Sequence, residues 1–162
     1  MDIISETYRR MVNYDSGDPK RIQHFVKVHS FARWIGINEK ISEEEQFILE
    51  VAALTHDIGI KPALEKYGSS AGPLQEKEGA AAVVDLLGDM PLSKEVLERV
   101  QYLIGHHHTY NSIDGIDYQI LVEADFLVNL YEGQQSRENI EICLNKIFKT
   151  ESGKELLQKM FL

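Results

Sequence analysis

Apolar residues recur at helical spacing along almost the whole of this 162-residue chain, and no stretch sustains the period-2 alternation of a half-buried strand. After Asp18-Pro19, with proline near the first turn, His24, Val28, Phe31, Ala32 and Ile35 fall at i, i+4, i+7, i+8 and i+11, one face of a helix that ends near Gly36. Ser42-Glu43-Glu44-Glu45 has the form of a capping box. It opens a helix carrying Phe47, Ile48, Val51, Ala52 and Leu54, ending at Asp57-Ile58-Gly59. The prolines, glycines and serines between Lys61 and Pro73 read as a short helical turn followed by a loop. Helical patterning returns from Leu74 to Leu87, from Ser93 into His106-His107-His108, and through the strongly apolar run from Ile120 to Leu130. Beyond Gly133 the pattern gives one or two further amphipathic helices, broken around Ser152-Gly153. The expected fold is all-α, a compact bundle of about six or seven helices. It forms one domain over residues 1–162, with a core at about 19–132 and C-terminal helices at about 136–162.

Composition narrows the function. With 43% hydrophobic and 27% charged residues the chain is an ordinary globular one, neither disordered nor a coiled-coil rod. Its formal net charge of −9 repels phosphate backbones, so neither a long nucleic acid nor an anionic membrane is an expected partner. A small anionic substrate is still compatible, because a bound cation inverts the field within one site. Cys143 is the single cysteine, so no internal disulfide forms and a reducing compartment is the natural home. Met1 to Tyr14 carries charges throughout, without the apolar core of a signal peptide, and no apolar run is long enough to span a bilayer. A cytoplasmic protein is expected.

Four polar residues stand where the helical pattern calls for core. His24 lies on the Val28/Phe31/Ile35 face, His56 and Asp57 close the apolar run Val51-Ala52-Ala53-Leu54, and Asp125 sits between Ala124 and Phe126. A buried ionised carboxylate costs several kcal/mol unless it is paired or bound to a metal. Each alone has an ordinary explanation: a satisfied core histidine, or an aspartate that caps a helix or pairs with arginine. Together they point to a shared counter-charge, and imidazole with carboxylate suits divalent Fe, Mn, Co, Ni or Zn.

Arg21-x-x-His24-x-x-x-Val28-x-x-x-Ala32, then Ala52-Ala53-Leu54-Thr55-His56-Asp57-Ile58-Gly59, then Glu123-Ala124-Asp125, resembles the H…HD…D signature of the HD-domain superfamily of metal-dependent phosphohydrolases. The likeness covers roughly Pro19 to Leu130. It implies an all-helical fold around a buried metal site, with His24, His56, Asp57 and Asp125 as ligands of a first divalent ion. Relatives with a second metal usually carry a histidine four residues before a Gly-Ala pair. Gly79-Ala80 matches that pair, but the position four before it is Gln75, and Glu78 would have to supply an oxygen instead. Ile104-Gly105-His106-His107-His108 does match in kind the family's late histidines. From its spacing to Val100 and Leu103-Ile104, His107 is expected to point inward, His106 next, and His108 to open towards solvent. One ion is expected, with a second less complete. Many relatives place lysine directly after His-Asp-x-Gly; here Ile60 intervenes and Lys61 follows.

The resemblance implies hydrolysis of a phosphate ester, of a nucleotide or another small phosphorylated metabolite. His106 or His107 would bind the phosphate or protonate the leaving oxygen, Gln75 or Glu78 would orient water, and Lys61 would reach the phosphate. Two alternatives stay open: a di-iron oxygenase built on the same core, and a non-enzymatic nucleotide-sensing helical protein whose metal is structural. The C-terminal helices could pack on the core or form a homodimer face.

Overall fold

The computed structural model describes residues 1–162, and all of its regular structure is helical. Nine helices follow in chain order: α1 (Ile3–Tyr14), α2 (Pro19–Asn38), α3 (Glu43–Ala53), α4 (Ile60–Tyr67), α5 (Gly72–Leu87), α6 (Lys94–His106), α7 (Ile116–Glu132), α8 (Arg137–Lys146) and α9 (Glu151–Phe161). The expected six or seven were too few. The surplus comes mainly from α1, whose apolar face is carried by only a few residues, with Thr7 and Met11 buried among charged neighbours. The Lys61–Pro73 segment is also more ordered than expected. Pro62 sits inside the first turn of α4, where its missing N–H costs nothing, and Gly68 ends the helix in the left-handed region at φ 66°.

The caps follow from local chemistry. Asp18 Oδ1 accepts from Arg21 N at the start of α2. Ser42 and Glu45 make both halves of the capping box that opens α3. At the starts of α6, α8 and α9 the side chains of Ser93, Ser136 and Thr150 accept from Val96 N, Asn139 N and Gly153 N, the N-cap half alone.

Helix α7 is the axis of the molecule. Eleven of its 17 residues are buried, so it is apolar nearly all round and must be enclosed. Helices α2 and α3 pack against it, α9 closes another side, and α5 with α6 forms a second layer joined to α3 and α4. The buried Glu123 ties α7 to the C-terminal helices: it accepts from Lys149 N, Thr150 N, Thr150 Oγ1 and Gln119 Nε2. The turn after α3 and the body of α5 meet backbone to backbone. A Cβ on Gly59 would lie 2.0 Å from the Gln75 carbonyl oxygen and 2.5 Å from Gly79 N. No helix is long and apolar enough to cross a membrane.

Candidate metal centre

Three elements bring the four polar misfits together. His24 projects from the second turn of α2 and Asp125 from the middle of α7. His56 and Asp57 lie just beyond α3, in a tight turn held by Thr55 N to Ala52 O, Ile58 N to Thr55 O and Ile60 N to Asp57 O. The turn aims two consecutive side chains at the bundle axis, which a continuing helix would splay by about 100°. All four are at most 6% exposed. One ligand atom from each falls within 4.8 Å of the others.

The hydrogen bonds behind the imidazoles decide what those atoms are. His24 Nδ1–H donates to Glu132 Oε1 at 2.7 Å, His56 Nδ1–H to the Ala53 carbonyl at 2.8 Å, and His107 Nδ1–H to the Ile104 carbonyl at 2.7 Å. With Nδ1 engaged as donor, each neutral ring turns the lone pair of Nε2 inward. His24 Nε2 is 3.2 Å from His56 Nε2, 3.1 Å from Asp57 Oδ2 and 3.2 Å from Asp125 Oδ1. His56 Nε2 lies 3.2 Å from Asp125 Oδ1 and 3.4 Å from Asp57 Oδ2. Four acceptors facing one another at such spacing require a cation between them. The separations suit metal bonds of about 2.0–2.2 Å to nitrogen and oxygen. The donor set of two imidazoles and two carboxylates therefore fits a divalent ion.

In the ion-free protein a proton does part of this work. Burial alone would push His24 down, but hydrogen bonds to Asp125 and Asp57 outweigh it and raise the imidazolium to about 10. The surrounding histidines hold Asp57 well below the usual carboxylate range and lower Asp125 too, against the desolvation of both.

His107 fulfils its expectation of facing inward: it is fully buried, with Nε2 3.1 Å from Asp57 Oδ1. His108 corrects its expectation. It is half-buried rather than open, its Nε2 is buried without a partner, and it joins Asp57 and His107 in a second cluster of metal-capable atoms within 4.8 Å. Burial and the neighbouring His107 lower its pKa, leaving a neutral ring available as a ligand. Tyr110 Oη lies 3.3 Å from its Nδ1.

The remaining candidates lie elsewhere. His106 turns away: its Nδ1–H donates to the Tyr102 carbonyl, its ring stacks on Tyr102, and it borders an open hollow between α5 and α6 with Glu76, Lys77 and Gln101. Glu78 is taken by Lys66 Nζ and Tyr67 Oη of α4 and is absent from both clusters. Gln75 is buried on α5 with Nε2 donating to the Ser70 carbonyl and Oε1 without a partner. Lys61 Nζ donates to the Tyr14 carbonyl at 3.1 Å, over the Tyr14 ring.

Two participants had no role from sequence alone. Arg21 Nη1 donates to Asp57 Oδ2 at 3.1 Å from a side chain 27% exposed, which puts a fixed cation at the rim of the cluster. Glu132, at the end of α7, orients His24. Arg21 was visible only as part of the motif; Glu132 carried no signal, because a charged residue at a helix end is ordinary.

Comparison with known proteins identifies the family and the fold. The family model described as HD domain matches residues 21–145. The crystal structure of a predicted HD superfamily hydrolase from an uncultured Thermotogales bacterium superposes with a TM-score of 0.68 at 24% identity, over 96% of this chain and 83% of that one. At that identity the likeness speaks for the fold alone. No curated protein matches. The family match spans every residue of the His24/His56/Asp57/Asp125 cluster, and the chain belongs to the HD domain family.

Proposed function

We propose that the protein is a metal-dependent phosphohydrolase acting on a small phosphate ester, nucleotide-like in class, with the ion held by His24, His56, Asp57 and Asp125. One observation carries the reading: Nδ1 of each inward histidine is tied by a hydrogen bond, so their Nε2 atoms and two carboxylates converge as ready ligands beside a partly exposed arginine. A divalent ion bound there lowers the pKa of its water towards neutrality and offsets charge on phosphoryl oxygens.

The chain's own residues supply the rest. Glu132 and the Ala53 carbonyl hold the Nδ1 protons of His24 and His56, so Nε2 of each is the ligand atom, with an ion taking the place of the proton that His24 Nε2 carries in the ion-free protein. Arg21 has guanidinium nitrogens beyond the one bonded to Asp57, and these can bind phosphate oxygens at the rim, where charge-assisted bonds are strong. Asp57 presents its two oxygens to different partners, Oδ2 to His24 and Oδ1 to His107. With His108 Nε2 unpartnered beside them, Asp57, His107 and His108 offer a place for a second ion.

The test is metal content by elemental mass spectrometry with turnover of a phosphate-ester panel, wild type beside Asp125→Ala. About one transition-metal ion per chain, lost in the variant together with at least about 100-fold of activity, is the expected result. A wild type that takes up no metal after reconstitution overturns the reading. Two irons per chain with oxygen consumption would replace it with an oxygenase.

A further inference from the structure

Beside Arg21 lies a carboxylate that the fold does not explain. Asp15 is the C-cap of α1, where the negative end of the helix dipole disfavours an anion. It is only 6% exposed, and its Oδ2 is buried without a hydrogen-bond partner. The two nearby cations are engaged elsewhere, Lys61 on the Tyr14 carbonyl and Arg21 on Asp57. Burial, then the Asp18 carboxylate, pushes Asp15 up to about 6 in spite of both cations. A group that is unfavourable in position, in burial and in hydrogen bonding marks a place where stability has been given up for use.

Asp15 lines a hollow of about 330 Å³ together with Ser16, Asp18, Arg21 and Lys61, at the small end of the range for small-molecule pockets. The hollow adjoins the metal centre twice over. Arg21 is a wall of the hollow and a partner of Asp57, and Ile60 and Lys61 directly follow the turn that carries Asp57. The hollow thus lies on the Arg21 side of the centre, where the alcohol portion of a phosphate ester bound by Arg21 has room. The lining combines hydrogen-bond acceptors (Asp15, Asp18, Glu65) with donors (Arg21, Lys61, Ser16) and contains no aromatic ring on which a base would stack. That chemistry suits a polyhydroxylated group.

We propose that this hollow seats a sugar of the substrate, and that Asp15 is a specificity residue whose carboxylate accepts a hydrogen bond from a sugar hydroxyl. The inference rests on the phosphohydrolase reading above.

Two probes test it by isothermal titration on the full-length Mn²⁺-loaded protein: inorganic phosphate, and a ribose phosphonate in which a methylene replaces the ester oxygen. The wild type should bind the sugar probe more tightly than phosphate. Asp15→Asn should weaken the sugar probe roughly ten- to a hundredfold, the worth of a hydrogen bond to a charged group, and shift phosphate by no more than about twofold. Its melting temperature should rise, because an uncompensated buried charge has been removed; a merely structural Asp15 would lower it. Leu64→Trp, on the half-exposed rim of the hollow, should weaken the sugar probe by steric filling without touching Asp15. A wild type that binds phosphate but gains nothing from the sugar, or an Asp15→Asn variant that weakens both probes alike, overturns the inference and leaves the phosphohydrolase reading intact. A wild type that binds neither probe overturns both.

Discussion

Glu132 sits 108 residues from His24 in sequence, yet its Oε1 accepts the Nδ1 proton at 2.7 Å. The carboxylate does two things to that imidazole: it fixes the tautomer and makes Nε2 a better electron donor. Glu132→Gln keeps an acceptor of the same shape and removes the charge. Metal affinity should fall about 10- to 100-fold, read by competition against a chromophoric chelator. An unchanged affinity would show that the Ala53-type carbonyl contact suffices for orientation. At this scale the sequence is legible where a residue contradicts its surroundings. His24, His56, Asp57 and Asp125 stand out because apolar neighbours make a polar side chain expensive. Glu132 and Arg21 occupy positions where charge is ordinary, so only tertiary contact reveals what they do. The His106/His107/His108 triplet lies between these cases. Helical spacing identifies His107, which as the C-cap of α6 still has right-handed helical backbone, whereas one residue further on spacing no longer tells which way His108 points.

Among the elements, the turn from Leu54 to Gly59 matters most, because it alone delivers two ligands. Its position depends on the backbone approach of Gly59 to α5. Gly59 has φ −70°, a value any residue adopts, so alanine there meets no backbone strain and acts only through its Cβ. That Cβ would lie 2.0 Å from the Gln75 carbonyl oxygen, and α5 would have to move. Gly59→Ala should cost about 1–3 kcal/mol, the usual range for overpacking. It should also lower metal affinity, since Asp57 is two residues away. Urea denaturation of chelated protein and metal titration together check this, and a loss of stability with unchanged affinity would uncouple the turn from the site. A capping variant supplies the contrast: Ser42→Ala should cost about 1 kcal/mol at the far end of α3 and leave the affinity unchanged. The Ser42–Glu45 box was legible because its chemistry is local. Helix α1 was not, since its docking depends on contacts with residues far along the chain, such as Arg10 on the Leu86 carbonyl.

For the molecule as a whole, the centre links stability to both pH and metal. His24 has an unfolded value of 6.5 and a folded value of about 10 in the ion-free protein. A raised pKa contributes stability that is complete below 6.5 and is lost as pH rises through 10. Asp57 and Asp125 shift the other way, so their contribution is present above the ordinary carboxylate value of 3.8 and is lost as pH falls below it. Chelated protein should therefore be most stable between about pH 4 and 6.5 and lose stability progressively from pH 6.5 to 10. On that alkaline side the imidazolium gives up the proton that separates two carboxylates and a second lone pair. A divalent ion takes over the same electrostatic duty without titrating, and its affinity rises as the competing proton leaves. At a hundredfold excess over its dissociation constant the ion adds about 2.7 kcal/mol, several degrees of melting temperature for a chain of this size. Melting curves in chelator and in saturating Mn²⁺ should accordingly diverge as pH rises from 6.5 to 10. Parallel curves would mean that His24 carries no proton between the carboxylates and that the cluster tolerates its own charge by some other contact. Diverging curves that become parallel in Asp125→Ala would locate the linkage at this one buried centre, on which α2, the turn after α3 and α7 all converge.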